Sequence, residues 1–289
     1  MMDRTQTKKP PEPMLEVARL ALREDIGRGD ATSLSTVPED TTARGRFLAK
    51  ESLVVSGLEA ARAVFFSADE ELRFEAFAGE GERVGAGTVV ASVEGSARSI
   101  LAAERVALNL LMRLSGVATL TGKYVEAVSG TDARITDTRK TTPGLRELEK
   151  AAVRAGGGVN HRSGLDDGVL IKDNHLAIAG GVSEAVRRAK ESSPHLLKVE
   201  VEVESMDELE EAFRAKADAV LLDNMSPEEV GECVERARRE APDVIVEISG
   251  GVNLETIRAY AESDPDLISV GALTHSAPAA DISLEMELC

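Results

Sequence analysis

The chain has 289 residues, 43% hydrophobic and 29% charged, with a formal charge of −17. That is the composition of an ordinary globular protein, long enough for one large domain or two smaller ones and too apolar to remain disordered. The acidic balance, with no Trp, only Tyr124 and Tyr260, and six Phe, argues against nucleic acid as a partner, because phosphate backbones demand a basic footprint. No apolar run approaches the roughly 20 residues that span a bilayer, and residues 1–13 are polar and proline-rich, unlike a signal peptide. Two cysteines, Cys233 and Cys289, make no disulfide framework. The expectation is a cytoplasmic protein with free thiols and no membrane attachment.

Residues 1–13 read as a disordered lead-in. The spacing of Leu15, Val17, Ala18, Leu20, Ala21 and Leu22 predicts a helix over 13–25, with Pro13 suited to its first turn. Gly27, Gly29 and Asp30 stop it; a Gly-Arg-Gly loop can hold an anion, but a glycine pair after a helix is more often a C-cap. Residues 42–57 alternate and then run apolar, as strand, turn and strand, and a short helix follows at 58–68. Residues 72–77 and the glycine-rich 79–93 read as hairpins. The strongest helix signal is 97–114, apolar nearly all round and therefore expected to be buried. Glu104, Arg105 and Asn109 are its polar exceptions. Arg105 is either an interface or ligand residue, or one paired structurally elsewhere, and the sequence favours neither. Ser115-Gly116 reads as a break before a second helix at 118–128.

From there strand-like and helix-like segments alternate. Strands are expected at 133–136, 168–171, 197–203, 219–222, 244–248 and 267–270, and helices at 145–155, 182–191, 206–215, 227–239 and 254–261. Six βα-type units imply parallel strands covered by helices, as a twisted open sheet or a closed barrel. Six strands are fewer than the eight of a complete (β/α)8 barrel, so a barrel would be incomplete. One observation favours it. Nearly every strand is followed by a polar or glycine signature: Asp137-Thr138-Arg139-Lys140, Lys172-Asp173-Asn174-His175, Glu202, Asp223-Asn224, Ser249-Gly250-Gly251 and Gly271-Ala272-Leu273-Thr274-His275. A barrel brings such loops to one mouth, where they line a single pocket.

Residues 134–175 form a cationic island, with eight Lys/Arg against six Asp/Glu in a chain of 34 against 51. His161 and His175 lie there too. Arg146, Glu147, Glu149, Lys150 and Arg154 fit an ordinary salt-bridged helix surface. Arg139, Lys140, Arg162 and Lys172 lie at turns or strand ends instead. They point to a site for a small, multiply anionic ligand, since arginine forks match carboxylate and phosphate oxygens in pairs. The glycine turns after the last two strands suit a phosphate approached by backbone N–H groups. Glu200, Glu202 and Glu204 share a strand face, either as exposed edge carboxylates or as interior ones needing a partner such as Lys172 or hydrated Mg2+. There is no zinc-type cluster, no Ser-His-Asp spacing and no Walker loop. The set suggests positioning and electrostatic stabilisation, not covalent catalysis.

The strings AERVALNLLMRLSGVAT, DTRKTTPGLRELEKAAVRAGGG, NHRSGLDDGVLIKDNH, VEVEVES, LLDN, EISGGV and SVGALTHS, with EDIGRGDATS near the start, resemble those of the quinolinate phosphoribosyltransferases, the decarboxylating nicotinate-nucleotide pyrophosphorylases of NAD biosynthesis. The resemblance implies an N-terminal α/β sandwich domain (1–115) and an incomplete six- to seven-stranded α/β barrel (116–275), with the tail 276–289 packing back on the first. It implies a homodimer with active sites shared between subunits. It also implies the reaction of quinolinate and phosphoribosyl pyrophosphate, with Mg2+, to nicotinate mononucleotide, pyrophosphate and CO2. Carried onto this chain, Arg139, His161, Arg162 and Lys172 hold the two quinolinate carboxylates beside Thr138, and Arg105 joins them from the partner subunit. Lys140 faces the reacting centre and pyrophosphate. Glu202 and Asp223 contact the ribose hydroxyls and Mg2+. Ser249, Gly250, Gly251, Val270, Gly271, Ala272 and His275 bind the 5′-phosphate. A related transferase taking another base, and a non-catalytic sugar-phosphate-binding protein, are the rival readings.

Overall fold

Residues 9–289 are described by a computed structural model, and they divide into two units. The first unit takes the chain as far as Gly122, together with Thr142–Gly157 and Ala277–Cys289. It opens with α1 (Glu12–Ile26), which buries Leu15, Ala18 and Leu22 at helical spacing. Of the expected lead-in, residues 1–8 lie outside the described residues; Pro10 is buried, and the helix begins before residue 13. The turn after α1 also starts a second, unforeseen helix, α2 (Ala31–Thr36). Asp30 caps it by accepting from the Thr32 and Ser33 N–H groups at 3.1 Å each.

β1 (Thr42–Ala49), β2 (Leu53–Val54), α3 (Leu58–Ala68), β3 (Arg73–Ala76), β4 (Arg83–Val84) and β5 (Val89–Ser96) follow. Residues 79–93 do not close a hairpin on themselves. β4 pairs with β2, while β5 pairs with β1 and β3. Gly87, at φ 86°, turns the chain and donates its N–H to the Ala49 carbonyl at 2.8 Å, which carries β5 onto β1. Phe47 from β1 meets Phe65 and Phe74 in the core, edge-on to Phe65 at 5.8 Å between centroids.

α4 (Ala97–Ala127) is one helix of 31 residues, where the sequence predicted two separated at Ser115-Gly116. Those small residues serve close packing, not a turn. The Ser115 hydroxyl is fully buried, donates to the Ser56 carbonyl at 3.0 Å and accepts from the Ser56 N–H at 3.1 Å. A Cβ on Gly116 would lie 2.0 Å from the Pro278 carbonyl oxygen. Of its expected polar exceptions, Arg105 and Asn109, one turn apart, are exposed.

The chain continues through β6 (Arg134–Thr136), α5 (Arg146–Ala155), β7 (Val169–Ile171), α6 (Asp173–Ala179), α7 (Val182–Ser192), β8 (Val199–Val203), α8 (Met206–Arg214), β9 (Ala219–Asp223), α9 (Pro227–Glu240), β10 (Ile245–Ser249), α10 (Ile257–Ala261), β11 (Leu267–Ser269), α11 (Ala272–His275) and β12 (Ile282–Leu288). α5 and β12 group with the first unit. β12 pairs antiparallel with β1, from Ala43 opposite Leu288 to Ala49 opposite Ile282, so the main sheet there runs β12-β1-β5-β3. α5 is not the solvent-facing helix its charges suggest. Glu149 is 0% and Lys150 3% exposed. The Glu149 carboxylate is satisfied by Arg113 Nη2 at 2.8 Å and by the Thr142 hydroxyl and N–H at 2.7 and 3.0 Å, as a buried charge requires.

The second unit, Lys123–Thr141 with Gly158–Ser276, holds six parallel strands in the order β6-β11-β10-β9-β8-β7. Val159 adds a single parallel bridge to Thr136 beside β6. α6 stands where a loop was expected. None of its residues is buried, so it carries no hydrophobic period to announce it. His175 fixes its start by accepting the Lys172 N–H on Nδ1 at 2.9 Å.

Candidate active site

One cavity of about 430 Å³ in the second unit receives side chains from every strand of the parallel sheet. Thr138, Arg139 and Lys140 come from the end of β6, His161 and Arg162 from the segment before β7, and Leu170 and Lys172 from β7 and its end. β8 sends in Glu202, β9 Leu221 and Asp223, β10 Glu247 and Ser249, and β11 Ser269. An open sheet would spread these residues along an edge; a rolled one brings them together, and this favours the incomplete barrel over the flat sheet. Strand alternation explains the pairs two residues apart, such as Leu221 with Asp223 and Glu247 with Ser249, which share the inward face.

The four loop cations of the island all line this cavity. Lys140 is held by its backbone: its N–H donates to the Thr138 hydroxyl at 3.1 Å, and its carbonyl accepts from the buried Thr274 hydroxyl at 2.9 Å. Arg162 donates through Nη1 to the Gly168 carbonyl at 2.9 Å, and its buried Nε has no hydrogen-bond partner. Burial, and after it the nearby charge of Arg139, lowers the pKa of Arg162. Two guanidiniums crowded in this way favour an anion between them. Lys172 Nζ donates to Glu202 Oε2, so the interior carboxylate has the lysine partner that the sequence offered it. Glu204 lies past the end of β8 and is exposed, unlike Glu200 and Glu202.

Asp223 is braced by its neighbour. Asn224 Nδ2 donates to Asp223 Oδ2 at 2.5 Å, and the Asn224 N–H donates to the Ser249 carbonyl at 3.0 Å. Asn224 takes a left-handed backbone, φ 56°, which asparagine tolerates better than most residues. It packs so tightly on Gly250 that a Cβ there would lie 2.3 Å from Asn224 Oδ1. Gly271 makes the same kind of close approach at the next strand, with the His275 ring and Lys140 Cδ both 3.2 Å from where a Cβ would stand. Glycine at 271 therefore lets His275 sit beside Lys140.

Of the other expected residues, Val270 is buried and donates its N–H to the Thr136 carbonyl at 3.0 Å. Ala272 begins α11, and Gly251 is exposed at φ 65°. Gly250, Gly251, Val270, Gly271, Ala272 and His275 are not among the residues lining the cavity itself, and neither is Arg105, which belongs to the first unit.

Sequence reasoning missed the floor. Asp137, fully buried, accepts from Asn160 Nδ2 at 2.5 Å and from the His161 N–H at 2.9 Å. His161 Nε2 in turn lies 3.1 Å from Glu200 Oε2 and 3.6 Å from Glu247 Oε1. Glu247 is 1% exposed. Burial first, and then the neighbouring Glu200, push its carboxyl up to about 8. A lone carboxylate in the apolar run VIVEIS, two residues before Ser249 and so on the same face, was the available signal.

Among known proteins, the family model for the quinolinate phosphoribosyl transferase N-terminal domain matches residues 30–115, and that for the C-terminal domain matches 117–285. The chain is 43% identical over 265 residues to a protein of Synechocystis sp. named probable nicotinate-nucleotide pyrophosphorylase (carboxylating), covering 92% of this chain and 90% of that one. It is 42% identical over 277 residues to the nicotinate-nucleotide pyrophosphorylase (carboxylating) of Mycobacterium leprae, covering 94% and 96%. The solved nicotinate-nucleotide pyrophosphorylase of Francisella tularensis superposes with a TM-score of 0.91 at 40% identity, over 97% of this chain and 98% of that one. Both halves match in order and the likeness runs through nearly the whole length: the chain belongs to the quinolinate phosphoribosyltransferase family.

Proposed function

We propose that this protein transfers the phosphoribosyl group of phosphoribosyl pyrophosphate to the ring nitrogen of quinolinate, with loss of the adjacent carboxylate as CO2, giving nicotinate mononucleotide and pyrophosphate. One observation carries the reading: Arg139, Lys140, Arg162 and Lys172 converge on a single cavity that also receives Glu202 and Asp223. Two adjacent ring carboxylates need more cationic contacts than one, and the arginine forks with Lys172 supply them. A pyridine nitrogen beside a carboxylate is a weak nucleophile, so holding the ring in line with the sugar is a large part of the task. As pyrophosphate departs, positive charge builds on the ribose, where Glu202 and Asp223 stabilise it. Lys140, beside Gly271 and His275, takes up charge on the leaving group. The glycine turns at 249–251 and 270–272 receive the 5′-phosphate.

Two carboxylates at the ends of neighbouring strands are the hard oxygen donors that Mg2+ prefers, so Glu202 and Asp223 fit this ion. When bound, Mg2+ supplies positive charge against the pyrophosphate. The reading includes a homodimer in which Arg105 of one subunit completes the site of the other. Exposed Leu165 and Ile178 beside an apolar cavity at the edge strand β7 support it, as a surface awaiting cover. No helix among the described residues is long and apolar enough to cross a membrane, and Cys233 and Cys289 are unbridged, in keeping with a cytoplasmic site of action. The test is turnover of quinolinate, nicotinate and nicotinamide, each with phosphoribosyl pyrophosphate and Mg2+. Only quinolinate should react. Preferred use of another base would make this a related transferase, and binding without turnover would make it a sugar-phosphate-binding protein.

A further inference from the structure

The transfer reaction gives no task to the two carboxyl side chains sealed under the cations. Glu247 and Glu200 are 1% and 8% exposed, and the Oε1 of each has no hydrogen-bond partner. With His161 they offer three donor atoms within 4.8 Å of one another, the raw material of a divalent-metal site. The other ring nitrogen decides against a metal. His161 Nδ1 accepts the Arg162 backbone N–H at 2.7 Å, so the proton of the neutral ring sits on Nε2, which then has no lone pair to give. What joins His161 to Glu200 is that proton, at 3.1 Å between Nε2 and Oε2, with Glu247 packed 3.6 Å from the same nitrogen.

We propose that Glu200 is a positioning residue for the base: it accepts the His161 Nε2–H at 3.1 Å and so holds the ring in one orientation, which sets the His161–Arg162 turn and aims the Arg162 guanidinium at the ring carboxylates. The proposal rests on the reading of this cavity as the quinolinate site. It changes the part given to His161, which contributes a fixed shape and not a charge, and it leaves selection of the dianion to Arg162 with Arg139 and Lys172.

The test is steady-state kinetics of the full-length Glu200→Ala and Glu200→Gln variants. Glutamine keeps the size of Glu200 and an oxygen that can accept the His161 Nε2–H, and alanine keeps neither. Glu200→Ala should raise the quinolinate KM about tenfold while the KM for phosphoribosyl pyrophosphate stays put, and Glu200→Gln should stay within about threefold of wild type. A Glu200→Ala variant that leaves the quinolinate KM unchanged or raises both KM values together, or a Glu200→Gln variant as impaired as Glu200→Ala, overturns the proposal. Should the wild type not turn over quinolinate at all, the functional reading falls instead. In that case 15N NMR of the His161 ring still decides the positioning role: the Nε2–H signal should be protected from exchange in wild type and Glu200→Gln and lose that protection in Glu200→Ala.

Discussion

Lys172 and Glu202, at the ends of neighbouring parallel strands β7 and β8, are ion-paired through Nζ and Oε2. The cation proposed for quinolinate and the carboxylate proposed for ribose thus satisfy each other until substrates separate them. The pair is lopsided, for the Glu202 side chain is 9% exposed and that of Lys172 46%. Lys172→Ala leaves a nearly buried charge without its partner, whereas Glu202→Gln leaves a cation that water can reach. Lys172→Ala should therefore cost about 1–2 kcal/mol of stability, discounted from a fully buried pair for the half-exposed lysine, and Glu202→Gln less. Denaturant unfolding checks this; equal losses would contradict the asymmetry.

Arg162→Ala should weaken quinolinate binding by about 2–5 kcal/mol, as when one partner of a desolvated charge pair is removed. Arg162→Lys should not restore it, because an ammonium cannot reproduce the fork. Unchanged KM and kcat in the alanine variant would reduce Arg162 to a structural residue.

Adjacent glycines should answer differently to the same change. At Gly250 (φ 89°) a methyl group meets Asn224 Oδ1 at 2.3 Å and the Asn224 nitrogen at 2.7 Å, and at Gly251 (φ 65°) it meets nothing within 4 Å. Gly251→Ala should cost only backbone strain, about 1 kcal/mol. Gly250→Ala adds the clash with Asn224 and should also lower kcat, since Asn224 braces Asp223. Thermal unfolding and turnover of the two variants, side by side, give the comparison.

Stability should depend on pH through Glu247. Its carboxyl is raised from the model-peptide value of 4.5 to about 8, so the folded chain holds a proton that the unfolded chain releases. The stability associated with that proton is fully present below about 4.5 and is lost as pH rises through about 8. Glu247→Gln, which has nothing to ionise, should therefore gain in Tm relative to wild type between pH 5 and 9, the gain growing with pH. A constant Tm difference across that range would show that Glu247 does not titrate there.

If Arg105 serves the partner's site, Arg105→Ala and Lys140→Ala chains should each be nearly inactive alone and regain activity when mixed. A statistical mixture makes about half of the dimers mixed, each with one intact site of two, so recovery should approach roughly a quarter of wild type. No recovery despite proven subunit exchange would place Arg105 in its own subunit's site or in none.

The sequence disclosed most about strands and the loops after them. Alternation, apolar runs and polar signatures located all six barrel strands and the cations Arg139, Lys140, Arg162 and Lys172, because loop chemistry is written in consecutive residues. It failed where distant contacts override local signals. Ser115-Gly116 looked like a break, but Ser56 and Pro278 make a smooth helix of it. Glu149 looked exposed until Arg113 and Thr142 were seen around it. Glu247 carried only a faint local sign, a lone carboxylate in an apolar run, and its setting comes from His161 and Glu200, which are far away in sequence.

The pairing of β12 with β1 has a consequence for how the chain comes to be folded in a cell. β12 is translated after every strand of the second unit, yet it forms one edge of the first unit's main sheet. The ribosome therefore delivers β1, β3 and β5 long before their fourth companion, and during that interval the backbone groups of β1 that await β12 are a template for any passing strand. Domain-by-domain folding during synthesis is closed to the first unit, whose sheet is complete only after the barrel has emerged. A fragment ending near residue 122 should accordingly aggregate where the whole chain stays monodisperse, and a peptide spanning 277–289, added in trans, should keep it in solution.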